Sequence, residues 1–279
     1  RKPLNTVRQA ERLKSEFEKL NVTCDLLYHG YLNLKEILKY DFAIYLDKDK
    51  YTSLYLSKNG LRLFNSHDSI RVCDDKGETY ITLEKENIKI PKTIYAPLCY
   101  DKNEVINEKD ADEIIKVLSL PVVVKESFGS MGKGVYKADT KEELLALMGK
   151  LKNMPHLYQE YLGKKFGEDI RVIVIGGKAV ASMRRKNDKD FRSNIALGGK
   201  GEKIELLKEY KDIAEKSAKV LGLDYCGVDL LSGNDNEPVV CEVNSNAFFE
   251  EIENISKVNI AKVYCEYIIK KVGNHEKVK

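Results

Sequence analysis

Asp229, Glu242 and Asn244 are the residues best equipped for chemistry, two carboxylates and an amide within the stretch YCGVDLLSGNDNEPVVCEVNSN at 225–246. Val228–Leu231 and Pro238–Val243 read as strands joined by a polar turn over Ser232–Glu237. Residues two apart on a strand share a face, so Glu242 and Asn244 are expected to point together, with Val239, Cys241 and Val243 opposite. Asp229 interrupts an apolar run on the partner strand, where it can meet them. An all-oxygen set suits a hard cation, and Mg²⁺ typically takes one or two carboxylates together with substrate phosphates. The competing reading is a polar stripe that faces solvent.

Phosphate-binding chemistry lies upstream. PVVVK at 121–125 reads as a short buried strand ending in Lys125, a cation that is costly there unless an anion pairs with it. SFGSMGKG follows at 127–134, with glycines at 129, 132 and 134. Backbone amides of such a loop can hold phosphate oxygens. It is not a Walker A loop, because Lys133 is followed by Gly134 rather than Ser or Thr. Nor is it a dinucleotide fingerprint, which must open a helix. A hairpin folding over a nucleotide and a plain flexible hairpin both stay open. The basic run Arg184, Arg185, Lys186, Lys189 and Arg192 is interleaved with Asn187, Asp188 and Asp190, and reads either as a solvated loop or as an anion clamp.

The elements that must position these groups alternate along the chain. Apolar spacing predicts a helix over 5–20, a strand at Val22–Leu27, a short helix over 32–39 and a strand at Phe42–Leu46. A helix over 50–59 and the extended Leu61–Phe64 complete a small parallel α/β unit in the first 65–85 residues. Such a unit ordinarily opens with a strand, so one preceding Arg1 is also an expectation. Asn65 and Ser66 cap a helix near 67–74, His67 reads as a surface or capping residue, and Lys76 falls at a break between two helical pieces. Ile88–Tyr95 reads as an edge strand or linker. Pro97 and the charged run 101–113 mark a boundary. Thr140 and Glu143 form a capping box for a helix over 141–152. A strand over 157–162 follows, then Ile170–Ile175 and Lys178–Met183 as a hairpin turning at Gly176–Gly177. Gly198, Gly199 and Gly201 read as a loop, 206–221 as a helix ending at Gly222, and 258–272 as the last helix before a charged tail.

At 279 residues, 43% hydrophobic and 33% charged, the chain is globular and long enough for two or three subdomains. A net charge of +3 from 47 basic and 44 acidic residues argues against a nucleic-acid binder. No run approaches a membrane span and no signal peptide is visible, so a cytoplasmic protein without a membrane partner is expected. Six scattered cysteines without a CxxC pair argue for reduced thiols rather than disulfides or zinc. The four histidines make no evident Ser/His/Asp or Cys/His set.

Lys76, VVVKESFGSMGKGV, QEYL, EDIRVIVIGGKAVASMRR, DFRSN at 190–194, GVDLL and EVNSN occur in one order. That order resembles the ATP-grasp superfamily, in particular the RimK-type alpha-L-glutamate ligases, from about residue 65 to 272. The resemblance implies an α/β (α+β) ATP-grasp fold: a Rossmann-like domain over 1–86, then an ATP-grasp domain over 87–272 with parts at about 98–160 and 161–272, and a tail over 273–279. It implies that Lys76 and Lys125 contact ATP phosphates beneath the loop Gly129, Ser130, Met131 and Gly132. Gln159, Glu160, Tyr161 and Leu162 would meet the adenine, Asp169 the sugar, and Arg192, Ser193 and Asn194 the phosphates. Asp229, Glu242 and Asn244 would hold two Mg²⁺ ions, or Mn²⁺, with Glu242 bridging. Arg192, Arg171 and Arg184 would face the reacting groups.

The activity implied is ligation of a small-molecule or peptide carboxylate to an amino acid through an acyl phosphate. The alternatives are a kinase on the same fold and a non-catalytic ATP-binding module. Ser245–Phe249 departs from the asparagine, small residue, proline and glycine of the ribosomal-protein-modifying members, which leaves glutamate as the added residue unsettled. Homo-oligomerisation is likewise left open.

Overall fold

The computed structural model describes residues 4–28 and 33–276. Helix α1 (Leu4–Lys19) buries Leu13 and Phe17 on its inner stripe. The single turn α2 (Leu34–Ile37) is capped by the Asn33 side chain, and residue 32 of the expected helix lies outside the described residues. Strand β1 (Phe42–Ile44), helix α3 (Lys50–Lys58) and strand β2 (Arg62–Phe64) follow. The two strands pair in parallel, Phe42 opposite Arg62 and Ile44 opposite Phe64. The expected strand at Val22–Leu27 is not one: the segment joins no sheet, although Val22 and Cys24 pack against the cluster that receives Phe42 and Ile44. The segment is apolar, but a ladder needs a neighbour.

Helices α4 (His67–Asp74) and α5 (Lys76–Lys85) break at Asp75, whose carboxylate accepts from the amides of Gly77 and Glu78. Ser66 caps α4, and His67 is buried rather than on the surface, its Nδ1 sharing a 2.9 Å hydrogen bond with Ser53 Oγ. Next come β3 (Thr93–Tyr95), α6 (Glu108–Leu118), β4 (Val122–Glu126), β5 (Val135–Ala138), α7 (Lys141–Leu151) and β6 (His156–Glu160). They build a sheet of order β3-β6-β4-β5 with antiparallel neighbours. Helix α6 replaces part of the expected boundary run; its charges face out while Ala111, Ile114 and Leu118 pack with Leu144, Met148 and Leu151 of α7.

The rest of the chain forms β7 (Glu168–Ile175), β8 (Lys178–Lys186), β9 (Lys200–Lys203), α8 (Lys208–Val220), β10 (Tyr225–Ser232), β11 (Pro238–Asn244), α9 (Glu250–Ser256) and α10 (Ile260–Glu276). The sheet order is β11-β10-β7-β8-β9, again antiparallel. Alternation sends Val172, Val174, Cys226, Val228 and Leu230 against Tyr210, Ala214 and Ala218 of α8. On the other face Ile173, Ile175 and Tyr225 meet Phe249, Ile252, Tyr264 and Ile268 of the closing helices. Charged residues occupy the remainder of that second face, and the site is built there. All six cysteines are free. Among the described residues no helix is long and apolar enough to cross a membrane.

Asn65 joins the N-terminal part to this sheet. Its Nδ2 donates to the carbonyls of Tyr225 and Ser245 at 2.8 Å each, and its Oδ1 accepts from the amides of Asp224 and Tyr225 at 2.7 and 2.9 Å. Every hydrogen-bonding position of the amide that geometry favours is thus used in a buried setting, where an orphaned group is expensive. Asn65→Ala should lower unfolding free energy by about 2–4 kcal/mol with an unchanged denaturant slope. A loss within error of zero in urea titration would show that the four bonds are replaceable.

Glu16, also buried, binds Arg12 and Lys19 of its own helix and accepts from Asn259 beside α10. The Arg12 and Lys19 bonds pull its pKa down to about 2. Its carboxylate therefore contributes stability above the ordinary glutamate range that is lost as pH falls from about 4.5 towards about 2. Glu16→Gln should flatten that limb of a stability–pH curve; an unaltered acid limb would contradict the pairing.

Candidate functional site

The four-stranded and five-stranded sheets face each other across a cleft. Lys76, Lys125, Gln159, Glu160, Tyr161, Leu162, Asp169, Asp229 and Glu242 all line it, together with Ser130, Gly132, Arg192, Ser193 and Asn194. Residues from 76 to 242 in the sequence are brought together by the pairing of distant strands.

Lys125 projects from β4 and is 6% exposed. Its Nζ donates to Tyr80 Oη at 2.9 Å and lies 3.5 Å from the Cys241 carbonyl and 3.8 Å from Cys241 Sγ. Tyr80 in turn donates to the Cys241 carbonyl. Burial opposes the charge on Lys125, but Cys241, Tyr80 and Glu242 outweigh it and raise the ammonium pKa. Burial pushes the Tyr80 phenol up to about 12. Lys76 opens α5; its Nζ donates to the Gly129 carbonyl at 3.0 Å and stands 3.9 Å from Glu242 Oε1. Burial lowers the Lys76 pKa, with Glu242 opposing.

The far wall is a charge lattice on one face of the five-stranded sheet. Asp229 is opposite Arg171 on β7 and opposite Glu242 on β11. Arg171 donates through Nε and Nη2 to the two Asp229 oxygens at 2.7 Å each. Arg185, 2% exposed, donates through Nε to Asp169 Oδ1 at 2.7 Å, with its Nη2 shared between Asp169 Oδ2 and Asp229 Oδ2, the latter at 2.9 Å. Ser193 Oγ donates to Asp169 Oδ2 at 2.5 Å. Burial works against the charge on Asp229, but Arg171 and Arg185 prevail and hold its carboxyl below the usual range.

The glycine loop bears on the segment after β8. Arg192 Nη1 donates to the Gly132 carbonyl at 2.8 Å while Asp190 clamps the same guanidinium at 3.0 and 2.7 Å. Gly132 has φ +75°, and a Cβ there would lie 2.8 Å from Leu197 and 2.9 Å from Asn194 Oδ1. The close approach requires glycine.

Several expected residues stand elsewhere. Arg184 is opposite Ile170, on the α8 side of β8, and faces Glu202 at 3.9 Å; the adjacent Arg185 enters the cleft instead. Side chains alternate along a strand, so the one-residue difference decides. Gly129 and Met131 do not line the cleft, although the Gly129 carbonyl anchors Lys76. Arg171 acts at one remove, through Asp229. A bulge between Asp229 and Leu230 opposes Leu230 to Val240, so Cys241 lines the cleft beside Glu242 rather than pointing away. Asn244 pairs with Gly227 and is not a lining residue; its Nδ2 is buried with no partner among the described residues. Ala247 and Phe249 are core residues, Ala247 Cβ standing 2.6 Å from where a Gly227 Cβ would be.

Tyr80, Lys165, Phe191 and Cys241 belong to the site or its supports without having been expected there. Arg185 was expected only as one member of the basic 184–192 run, and the structure brings it into the cleft. Among the described residues no three His, Cys, Asp or Glu side chains gather into a self-contained metal cage. Asp229 and Glu242 supply oxygen donors at paired positions, which suits a hard cation that draws its other ligands from phosphate and water.

A family model described as a RimK-like ATP-grasp domain matches residues 73–268. The chain is 32% identical over 236 residues to N-acetylaspartylglutamate synthase A of Homo sapiens, covering 84% of this chain and 59% of that protein. It is 33% identical over 215 residues to a probable alpha-L-glutamate ligase of Maridesulfovibrio salexigens, covering 76% and 68%. The chain thus spans less than two thirds of the length of the first of these relatives. D-alanine–D-alanine ligase from Bacillus anthracis, solved with ATP, superposes with a TM-score of 0.75 at 20% identity, covering 98% of this chain and 94% of that one; the likeness is one of fold.

The two neighbouring arginines give a direct comparison. Arg185→Met strands two buried carboxylates and should cost about 3–5 kcal/mol of stability. Arg184→Met, whose side chain is 43% exposed, should cost under about 1 kcal/mol. Equal losses in urea unfolding would refute the assignment of Arg185 to the inner lattice.

Proposed function

Because the chain belongs to the RimK-like ATP-grasp family, we propose that its cleft joins a carboxylate to an amine in a reaction driven by MgATP. The supporting observation is the opposition of two buried ammonium groups, Lys76 and Lys125, to the carboxylates of Asp229 and Glu242, with Arg192 on the loop between them. Cations from one wall and oxygen donors from the other fit a polyphosphate that carries a divalent ion.

In this reading Asp229 and Glu242 would hold Mg²⁺, two ions in all, with the Asn244 amide at the end of the same strand. The metal would supply charge neutralisation between phosphate oxygens. Lys76 and Lys125 bind the phosphates, and the 129–134 loop excludes water above them. Gln159–Leu162 border the base, Asp169 orients Arg185, and Ser193 and Asn194 sit beside the phosphates. A substrate carboxylate oxygen attacks the γ-phosphorus and ADP leaves, giving an acyl phosphate. The amine then attacks the acyl carbon, the C–O bond to phosphate breaks, and the amine loses a proton as the amide forms. Carboxylate and polyphosphate repel each other, so neutralisation and positioning do most of the catalytic work. The amine is an amino acid, glutamate or a close analogue, and the carboxylate belongs to a small molecule or a peptide.

Phosphate release should require MgATP, a carboxylate and an amine together in a screen of amino acids and acidic peptides. Glu242→Gln should abolish turnover with an unchanged melting temperature, and Lys125→Ala should weaken ATP binding by about 2–4 kcal/mol. Full turnover by the Gln variant, or phosphoryl transfer to a hydroxyl with no amine needed, would defeat the ligase reading.

A further inference from the structure

Among the described residues, three buried cations line the cleft: Lys76, Lys125 and Arg185. Lys76 stands 3.9 Å from Glu242, and Arg185 is held by Asp169 and Asp229. Lys125 has no carboxylate partner among the described residues; its shortest hydrogen bond, at 2.9 Å, goes to the neutral hydroxyl of Tyr80. A buried ammonium is ordinarily paired with an anion. Here its other neighbours are the Cys241 carbonyl at 3.5 Å and Cys241 Sγ at 3.8 Å, both weak acceptors at those distances. An ammonium has three donors, so the hydroxyl fixes one and leaves the charge available to a ligand.

Tyr80 lies four residues after Lys76 on α5, and residues at that spacing share a helix face, so one stripe of α5 serves both lysines of the cleft. The tyrosine is 1% exposed. Its Oη accepts from Lys125 and donates to the Cys241 carbonyl, a chain of two bonds in which each strengthens the other. That carbonyl is within reach on β11, where the bulge leaves Cys241 without a register partner. The ammonium also stands 5.4 Å from the centroid of the Tyr80 ring, within cation–π range. We infer that Tyr80 is a positioning residue for nucleotide binding: its hydroxyl aims the Lys125 ammonium at a phosphate without neutralising it, and ties it to the strand that carries Glu242. The inference rests on the reading of the cleft as a MgATP site. A carboxylate in place of the hydroxyl would hold the lysine as firmly, but it would compete with phosphate for the same charge. Tyr80 thus joins β4 of the smaller sheet to β11 of the larger one through a side chain that belongs to neither.

Calorimetric titration with Mg²⁺ and the β,γ-imido analogue of ATP tests this role. Tyr80→Phe keeps the ring, removes the hydroxyl, and should weaken binding about tenfold. In a Lys125→Met background the same change should alter affinity less than about twofold, because the group it acts through is gone. 4-Aminophenylalanine at position 80 keeps a donor for the Cys241 carbonyl, but its ring-conjugated nitrogen offers Lys125 a poor acceptor. It should weaken binding as Phe does while the melting temperature stays within about 2 °C of the unaltered chain. A tyrosine that only supports the fold would give equal losses in both Lys125 backgrounds, or full affinity with the amino analogue. Either result overturns the proposal. Equal binding by the unaltered chain and Tyr80→Phe would also overturn it, and would leave the reading of the cleft intact. No binding by the unaltered chain would defeat that reading, and the proposal with it.

Discussion

The buried lattice of Arg171, Arg185, Asp169 and Asp229 is the constraint around which the larger sheet is arranged. Two guanidinium groups and two carboxylates share an interior face, and each oxygen of Asp229 is held by at least one arginine. Isolated, any of these charges would be expelled or neutralised. Together they persist because the register of β7, β8 and β10 brings Arg171 opposite Asp229 and Arg185 opposite Asp169. A slip of one residue in any of the three would bury apolar side chains where charges now meet. Burial of Val172, Val174, Val228 and Leu230 on the α8 side fixes that register. Packing on one face thus determines the electrostatics of the other.

Much of this was legible in the sequence. Periodicity located α1, α3, α7, α8 and α10, glycine pairs located the β7–β8 turn, and Lys125, Asp229 and Glu242 were marked by being charges in apolar runs. Other features had no local sign. Arg185 and Arg184 differ only in parity, and parity depended on β8 continuing through Lys186, beyond the apolar residues that announced it. Lys200–Lys203 is a strand because the edge of β8 is available, three of its four residues being charged and exposed. Helix α6 was readable in principle, since Ala111, Ile114 and Leu118 keep helical spacing, but the dense charge around them suggested a linker. Tyr80 could not be found at all, because its partners Lys125 and Cys241 lie 45 and 161 residues away.

The smaller sheet contributes by a different route. Its apolar core with α6 and α7 lies on one face, which leaves the ends of β4 and β6 to carry Lys125, Gln159 and Glu160 to the cleft. Gln159 is fixed by a 2.8 Å bond to Thr93 Oγ1 on the edge strand, and the Glu160 carboxylate accepts from the Lys92 amide at 2.8 Å. Polar groups that border the cleft are thus tied down by backbone and side-chain bonds that leave their outer edges free.

Lys76 ties the start of one helix to a hairpin that belongs to the smaller sheet. The ammonium belongs to the first turn of α5, yet its hydrogen-bond acceptor is a carbonyl of the 127–134 hairpin, and its backbone amide is bound to Ser127 as well. Lifting the hairpin withdraws that acceptor, and the ammonium must then follow it or turn to Glu242. The helix and the hairpin therefore behave as gear and tooth: displacement of either is transmitted to the charge balance at the opposite wall.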